Sequence, residues 1–321
     1  MTTPSFVRAH LVFSVLATSC AAPAVPIREV PAHPAATRSP AATHADDLFW
    51  QTLHTGSYDR IPDALRALKA AYLAEPRDAI TAARIGWLHI WRLAERARMD
   101  RPDPAITDDA VLGRRYFEQA VRLAPGEARY LGFYASLLLT EASIHDDDEL
   151  RQRGAATMAQ AVAAWPEFNL FTAGYGASTR PYDSERFRQA LANQWLNLEA
   201  CVGHPIDHAH PEIPRERPSA MTTKTKRACV NTEIAPHNSE GFALNLGDML
   251  VKAGDPDAAV AIYRSATLVP AYASWPFRDV LDARIREARG NVDRFRRAPS
   301  AASEPTMMAD SAFACMGCHQ R

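Results

Sequence analysis

The sequence lacks the features of several common protein classes. None of its apolar runs approaches the roughly 20 residues that a membrane-spanning helix needs, so no integral membrane protein is expected. Its formal net charge is -1, with 36 basic and 37 acidic side chains, which argues against nucleic-acid binding through a basic surface. It has no nucleophile motif, phosphate-binding loop or paired-carboxylate signature. The sequence therefore favours a carrier or scaffold over a catalyst.

Strand signals are also nearly absent. Alternating β-branched residues over five or more positions hardly occur between residues 47 and 297. Apolar residues recur instead at helical spacing, as in Ile80, Ala83, Trp87, Ile90 and Ala94. We predict an all-α fold for residues 47–297.

An internal repeat runs through this region. Each copy has a small residue, a large apolar residue four positions later, a small residue three later and a proline five later. Small residues let a second helix approach closely, and proline ends a helix because it cannot continue the hydrogen-bond ladder. The ungapped copies are Ala64-Leu68-Ala71-Pro76, Gly113-Phe117-Ala120-Pro125 and Gly154-Met158-Ala161-Pro166; in Ala259-Tyr263-Ala266-Pro270 the proline comes one residue early, and Leu246-Gly247 precedes it.

These positions resemble the tetratricopeptide-repeat family. The resemblance implies stacked antiparallel helical hairpins with a concave face that binds a protein partner. The spacing departs from that family, because successive prolines lie 49, 41 and 104 residues apart instead of about 34. The alternative is a generic helical bundle whose helices end in proline.

The N-terminus reads as an export signal. Arg8 precedes the short apolar run 11–17, and small residues follow before Cys20. Residues 1–19 resemble a bacterial lipoprotein signal, which implies lipidation of Cys20 and a periplasm-facing, membrane-anchored protein, with the outer membrane slightly favoured by Ala21. The alternative is ordinary cleavage nearby, with a soluble periplasmic product. The Ala-, Pro- and Thr-rich segment 20–46 is predicted to be a disordered tether.

A proline-rich insertion, residues 201–238, interrupts the helical pattern and contains Cys201 and Cys229. In an oxidising exported compartment these two cysteines are expected to form a disulfide. The alternative is two free thiols packed as small apolar groups.

The strongest motif is Cys315-Met316-Gly317-Cys318-His319, the CxxCH pattern. It resembles the haem-attachment motif of c-type cytochromes. That resemblance implies one covalent haem c, with thioethers at Cys315 and Cys318 and His319 as the proximal iron ligand. The alternatives are a zinc site, a redox-active thiol pair or a chance match.

Only two residues follow this motif, and the Ala-, Pro- and Ser-rich run 298–306 precedes it. We predict a linker and haem-bearing tail over residues 298–321. The haem would pack against the helical body, pack against a partner or stay partly exposed, with Phe313 covering its edge.

The sixth iron ligand is not determined by the sequence. Candidates are the nearby methionines and the histidines in and beside the insertion: Met307, Met308, His204, His208, His210 and His237. A five-coordinate iron is the alternative.

Together these features predict an exported monohaem protein whose helical scaffold docks a protein partner while the haem exchanges electrons with a redox partner. Nucleic-acid partners are not expected, and membrane contact is expected only through a lipid anchor. The alternatives are a non-haem adaptor lipoprotein and a haem-based sensor or enzyme with an open iron site.

Overall fold

The computed structural model describes residues 38–96, 99, 101–213, 226–297, 307 and 313–321. Within these residues every regular element is a helix, and no helix is long and apolar enough to cross a membrane. The α-helices are α1 Pro40–His54, α2 Ile61–Ala74, α3 Ala79–Glu95, α4 Asp108–Leu123, α5 Ala128–His145, α6 Asp148–Ala164, α7 Pro166–Tyr175, α8 Glu185–Val202, α9 Asn238–Ala253, α10 Pro256–Ala266, α11 Arg278–Arg296 and α12 Cys315–His319.

Consecutive helices pack as hairpins. The pairs are α1 with α2, α3 with α4, α5 with α6, α7 with α8 and α9 with α10, and α11 packs on both helices of the last pair. Neighbouring hairpins also contact one another along the chain from α1 to α8. The predicted all-α class with stacked helical hairpins is confirmed.

Short polar side chains set where several helices begin. Asp147 accepts a hydrogen bond from the backbone N–H of Leu150 at 2.9 Å and caps α6. Ser184 caps α8 in the same way, and Gly203 ends that helix in the left-handed conformation. Local chemistry therefore determines these helix ends.

The repeated motif lies in the second helix of a hairpin in all four copies, in α2, α4, α6 and α10. Its large apolar residues point into the core: Leu68, Phe117 and Tyr263 have no exposed surface. The small residues beside them are buried against the first helix of the hairpin or a neighbouring helix, which is the close approach that the pattern predicted.

The hairpin of α7 and α8 lacks the repeated motif, because the residues at the corresponding positions of α8 are polar. In α8, Gln194 and Asn197 follow Ala190 at the positions where the motif has a large apolar and a small residue. Gln194 Nε2 donates to the carbonyl of Phe171 at 3.0 Å, and Asn197 Nδ2 donates to that of Glu167 at 2.8 Å. Hydrogen bonds to α7 thus hold this hairpin, and it accounts for the gap between the third and fourth prolines.

Gly247 lets α9 and α10 approach closely, because a Cβ there would lie 2.1 Å from the ring of Tyr263. That ring is fixed, since its hydroxyl donates to Asp248 at 2.5 Å. We expect Gly247→Ala to lower the free energy of unfolding by about 1–3 kcal/mol, measured by chemical denaturation. Gly126→Ala is the control, because no atom lies within 4 Å of its added Cβ. Equal losses in both variants would contradict this explanation.

Two predicted boundaries are corrected by the structure. The tether, residues 20–46, does not extend to residue 46, because α1 begins at Pro40. Ser39 caps that helix, and its alanines Ala42 and Ala45 are small enough to be buried against the core. The insertion, residues 201–238, is helical at both ends, since α8 continues to Val202 and α9 begins at Asn238.

Candidate functional site

The C-terminal tail, residues 313–321, is packed into the helical body. Phe313 and Met316 belong to the apolar core formed by α1, α2 and α3, and α12 lies against both α1 and α9. Phe313 stacks on Trp91 with 5.7 Å between ring centroids. The motif itself is thus packed against the helical body.

One side chain and one backbone N–H from the C-terminal half of the protein cap α12. The last carbonyls of a helix have no partner within it. Trp275 Nε1 donates to the carbonyl of Gly317 at 2.9 Å, and the backbone N–H of His237 donates to that of Cys318 at 3.0 Å. The tail is therefore held at a fixed position on α9.

The N-terminal half and α7 hold the other parts of the tail. The backbone N–H of Arg321 donates to the carbonyl of His54, the last residue of α1, at 2.8 Å. The backbone N–H of Ala314 donates to the Tyr175 hydroxyl at 3.0 Å. The tail thus joins helices that are far apart in the sequence.

Gly241 allows α9 to approach α12. A Cβ at this position would lie 2.6 Å from Cys318 Sγ and 2.7 Å from the carbonyl oxygen of Gly317. Displacing the Gly317 backbone would break the hydrogen bond from Trp275 described above. Gly241 therefore sets the distance between α9 and the second cysteine of the motif.

A cavity of about 640 Å³ lies beside α12. Cys315, Cys318 and His319 form part of its wall. Its volume is in the range of ligand pockets, about 300–1,000 Å³. Aromatic side chains from the first helices of the hairpins form much of the remaining wall: Phe49, Trp50, Trp87, Trp91, Phe133, Phe168, Phe171 and Phe242. The two cysteines and the histidine thus face a largely apolar chamber.

The His319 ring is held by one of its nitrogens. Nδ1 lies within hydrogen-bonding distance of the carbonyl oxygen of Ile234, which can only accept, so Nδ1 carries the proton. Nε2 is then the basic nitrogen. Burial lowers the pKa of His319 to about 4, so the imidazole is neutral at physiological pH. A neutral ring with its other N–H on a backbone carbonyl is the usual state of a metal-ligating histidine.

These residues fit a covalently attached haem. The cavity has room for a large planar apolar group, and both cysteines and His319 Nε2 are available from one wall. His319 also lies 5.9 Å from the ring of Trp50, measured between centroids, so an aromatic side chain supports its plane. Cys315 and Cys318 would hold the haem, and His319 would bind its iron.

A redox-active thiol pair and a zinc site, two of the alternatives for the motif, find less support in this geometry. Burial raises the pKa of the Cys315 thiol to about 12 and also raises that of Cys318, whereas a redox-active pair needs an accessible thiolate. A structural zinc site needs four ligands, and no group of three or more His, Cys, Asp or Glu side chains suited to a metal occurs in the described part of the chain.

The histidine cluster of the insertion lies on the surface. His204, His208 and His210 are exposed. His208 stacks on Trp195 at 4.2 Å between centroids, and its Nε2 lies 3.2 Å from Glu199. None of the three is a cavity residue.

The two other candidate ligands that the structure describes, His237 and Met307, lie outside the cavity wall as well. The His237 ring is buried with its Nδ1 3.3 Å from Glu240, and Met307 packs with Phe187 and Met249. Among the described residues that line the cavity, His319 is the only histidine and no methionine occurs. None of the described candidates therefore shares the cavity wall with His319.

Cys201 and Cys229 form a disulfide with a Cα–Cα distance of 5.4 Å. Both cysteines line the cavity. The chain between them and the residues that follow lead to Ile234, whose carbonyl accepts from His319. The disulfide thus lines the same cavity as Cys315, Cys318 and His319.

Several predicted features lie outside the described residues. These are the signal at residues 1–19, the lipidation candidate Cys20, tether residues up to 37, the linker at 298–306 and Met308. Lipidation and membrane anchoring stay predictions.

Sequence reasoning missed most of the cavity wall. Tyr175 and Trp50 belong to separate hairpins, and only stacking brings them together. His237 and Trp275 donate hydrogen bonds to the tail, and these contacts depend on the fold. The usable signal was the aromatic content of the first helices, at Trp87, Phe133 and neighbouring positions.

The chain matches no family model, no curated protein and no solved structure. Arguments about its function therefore rest on its own residues and their geometry.

Proposed function

We propose that this protein is an exported monohaem c-type protein in which the helical hairpins enclose the haem. The observation that carries the proposal is the single apolar cavity wall shared by Cys315, Cys318 and His319. A haem there would supply one-electron chemistry at its iron. Electron transfer is the function that we favour. That the protein has a redox partner and a docked protein partner is a prediction from the sequence.

The protein's own residues would control that site in three ways. The Ile234 carbonyl fixes the tautomer and plane of His319. Phe133, Phe171 and the other aromatic side chains would cover the haem with apolar surface. The capping of α12 by Trp275 keeps the cysteines at the cavity wall.

A haem-based sensor or ligand-binding protein is the second candidate. It is favoured by one observation, that the described cavity wall contains no second histidine and no methionine. A visible spectrum separates the two functions, because a low-spin six-coordinate iron favours electron transfer. A high-spin spectrum that shifts on adding carbon monoxide favours ligand binding.

Covalent attachment is tested by haem staining of a denaturing gel after expression with a c-type maturation system. We expect a stained band in the native protein and none in the Cys315→Ser/Cys318→Ser variant, because both thioethers are lost. The Cys201→Ser/Cys229→Ser variant is the matched control and should keep the stain. An unstained native protein would refute the proposed function.

A further inference from the structure

The charged residues of the cavity wall are unevenly distributed. Three arginines line the cavity, Arg84, Arg96 and Arg129, against one described acidic residue, Glu167. Glu167 is paired with Lys226 at 3.3 Å, and Arg129 is paired with Glu127 at 2.7 Å. An apolar chamber with excess positive charge suits a ligand that has an apolar body and carboxylate groups.

Arg84 is held in place by aromatic rings. Its guanidinium carbon lies 4.3 Å from the ring centroid of Trp50, 4.7 Å from that of Phe49 and 5.2 Å from that of Trp87. Its side chain is only 13% exposed. A cation fixed among three rings cannot turn away into solvent without losing these contacts.

Most hydrogen-bond donors of Arg84 are not used by the described residues. Its Nε donates to Asp46 Oδ1 at 2.6 Å, and no described residue accepts from its two terminal amino groups. A guanidinium has five N–H donors, so the four on the terminal amino groups remain for a ligand in the cavity. Asp46 does not line the cavity, so the charge that balances Arg84 lies outside it.

Arg84 is also close to the candidate iron ligand. Trp50 contacts the Arg84 guanidinium and lies 5.9 Å, between centroids, from the His319 ring. Arg84 and His319 therefore lie on the same side of the cavity, next to Trp50.

We propose that Arg84 binds a propionate carboxylate of the haem and raises its reduction potential. This inference rests on the proposed function. The terminal amino groups of Arg84 would pair with the carboxylate, as guanidinium groups commonly do. A cation near the iron favours the reduced state, because the oxidised haem carries one more positive charge.

The test compares midpoint potentials, measured by spectroelectrochemical titration of the haem-bearing protein. We expect Arg84→Gln to lower the potential and Arg84→Lys to keep most of it. Asp46→Asn should raise the potential, because it removes the negative charge that balances Arg84. Arg66→Gln, at an exposed position on α2, is the control and should leave the potential unchanged.

Opposite shifts in Arg84→Gln and Asp46→Asn support the inference, because general disruption of the fold would not change sign between them. If Arg84→Gln does not fold, the Asp46→Asn result decides: a rise supports the inference, and an unchanged or lower potential overturns it. Equal potentials in all stained variants overturn it while leaving the proposed function intact. A native protein without haem stain refutes the proposed function and this inference with it.

Discussion

Replacing Cys201 and Cys229 with serine is expected to lower the free energy of unfolding by about 3–4 kcal/mol. The disulfide closes a loop with a sequence separation of 28, and a loop of that length restricts the unfolded chain by about this amount in the chain-entropy description. The measurement is urea denaturation of the native protein and the double variant, followed by circular dichroism.

Reductant provides the matched control for this variant. Native protein unfolded in dithiothreitol should match the double variant, and dithiothreitol should leave the double variant unchanged. A second effect is expected in the haem-bearing protein, because the same segment carries Ile234. Loosening it should change the visible spectrum through the orientation of His319. An unfolding midpoint that is insensitive to reductant would contradict the role assigned to the disulfide.

Replacing Gly241 with alanine is expected to displace the tail from α9. The added Cβ would lie 2.6 Å from both Cys318 Sγ and the carbonyl carbon of Gly317, and neither the tail backbone nor the buried α9 can shift freely. Overpacking of this kind costs about 1–3 kcal/mol, which corresponds to a rise of about 5- to 150-fold in the fraction of open tails.

The opening is measured on chain produced without haem, by the rate at which Cys315 and Cys318 react with a thiol reagent. We expect the reaction to be faster in Gly241→Ala by that factor. Gly290→Ala in α11 is the control, since no atom lies within 4 Å of its added Cβ and alanine favours the helix by about 0.5–1 kcal/mol. Equal rates in native protein and Gly241→Ala would show that the close approach does not hold the tail.

The fold class followed from the sequence because its signals are local. A small residue, a large apolar residue and a proline at fixed spacing each act within one helix, so Leu68 and Phe117 could be placed in helical cores. The fourth hairpin was missed for an equally local reason. Gln194 and Asn197 are buried amides, and nothing in the sequence shows that their N–H groups donate to carbonyls of α7.

The start of α1 shows that composition alone does not separate a disordered segment from a helix. Three of the seven residues 40–46 are alanine, a composition that suits both a disordered tether and a packed helix. Ala42 and Ala45 are buried because neighbouring helices approach them, and that contact does not exist until the stack forms. Composition alone therefore misplaced the boundary.

Some properties of the candidate site followed from the sequence, and others followed only from the tertiary structure. The sequence by itself determined that Cys315, Cys318 and His319 form one chemical unit, because the motif lies within a single helical turn. Only the tertiary structure decided that this unit lies in a cavity, with its histidine on the Ile234 carbonyl and Arg84 nearby. The physical reason is that motif spacing acts over a few residues, whereas a cavity wall is assembled from hairpins whose packing depends on the whole chain.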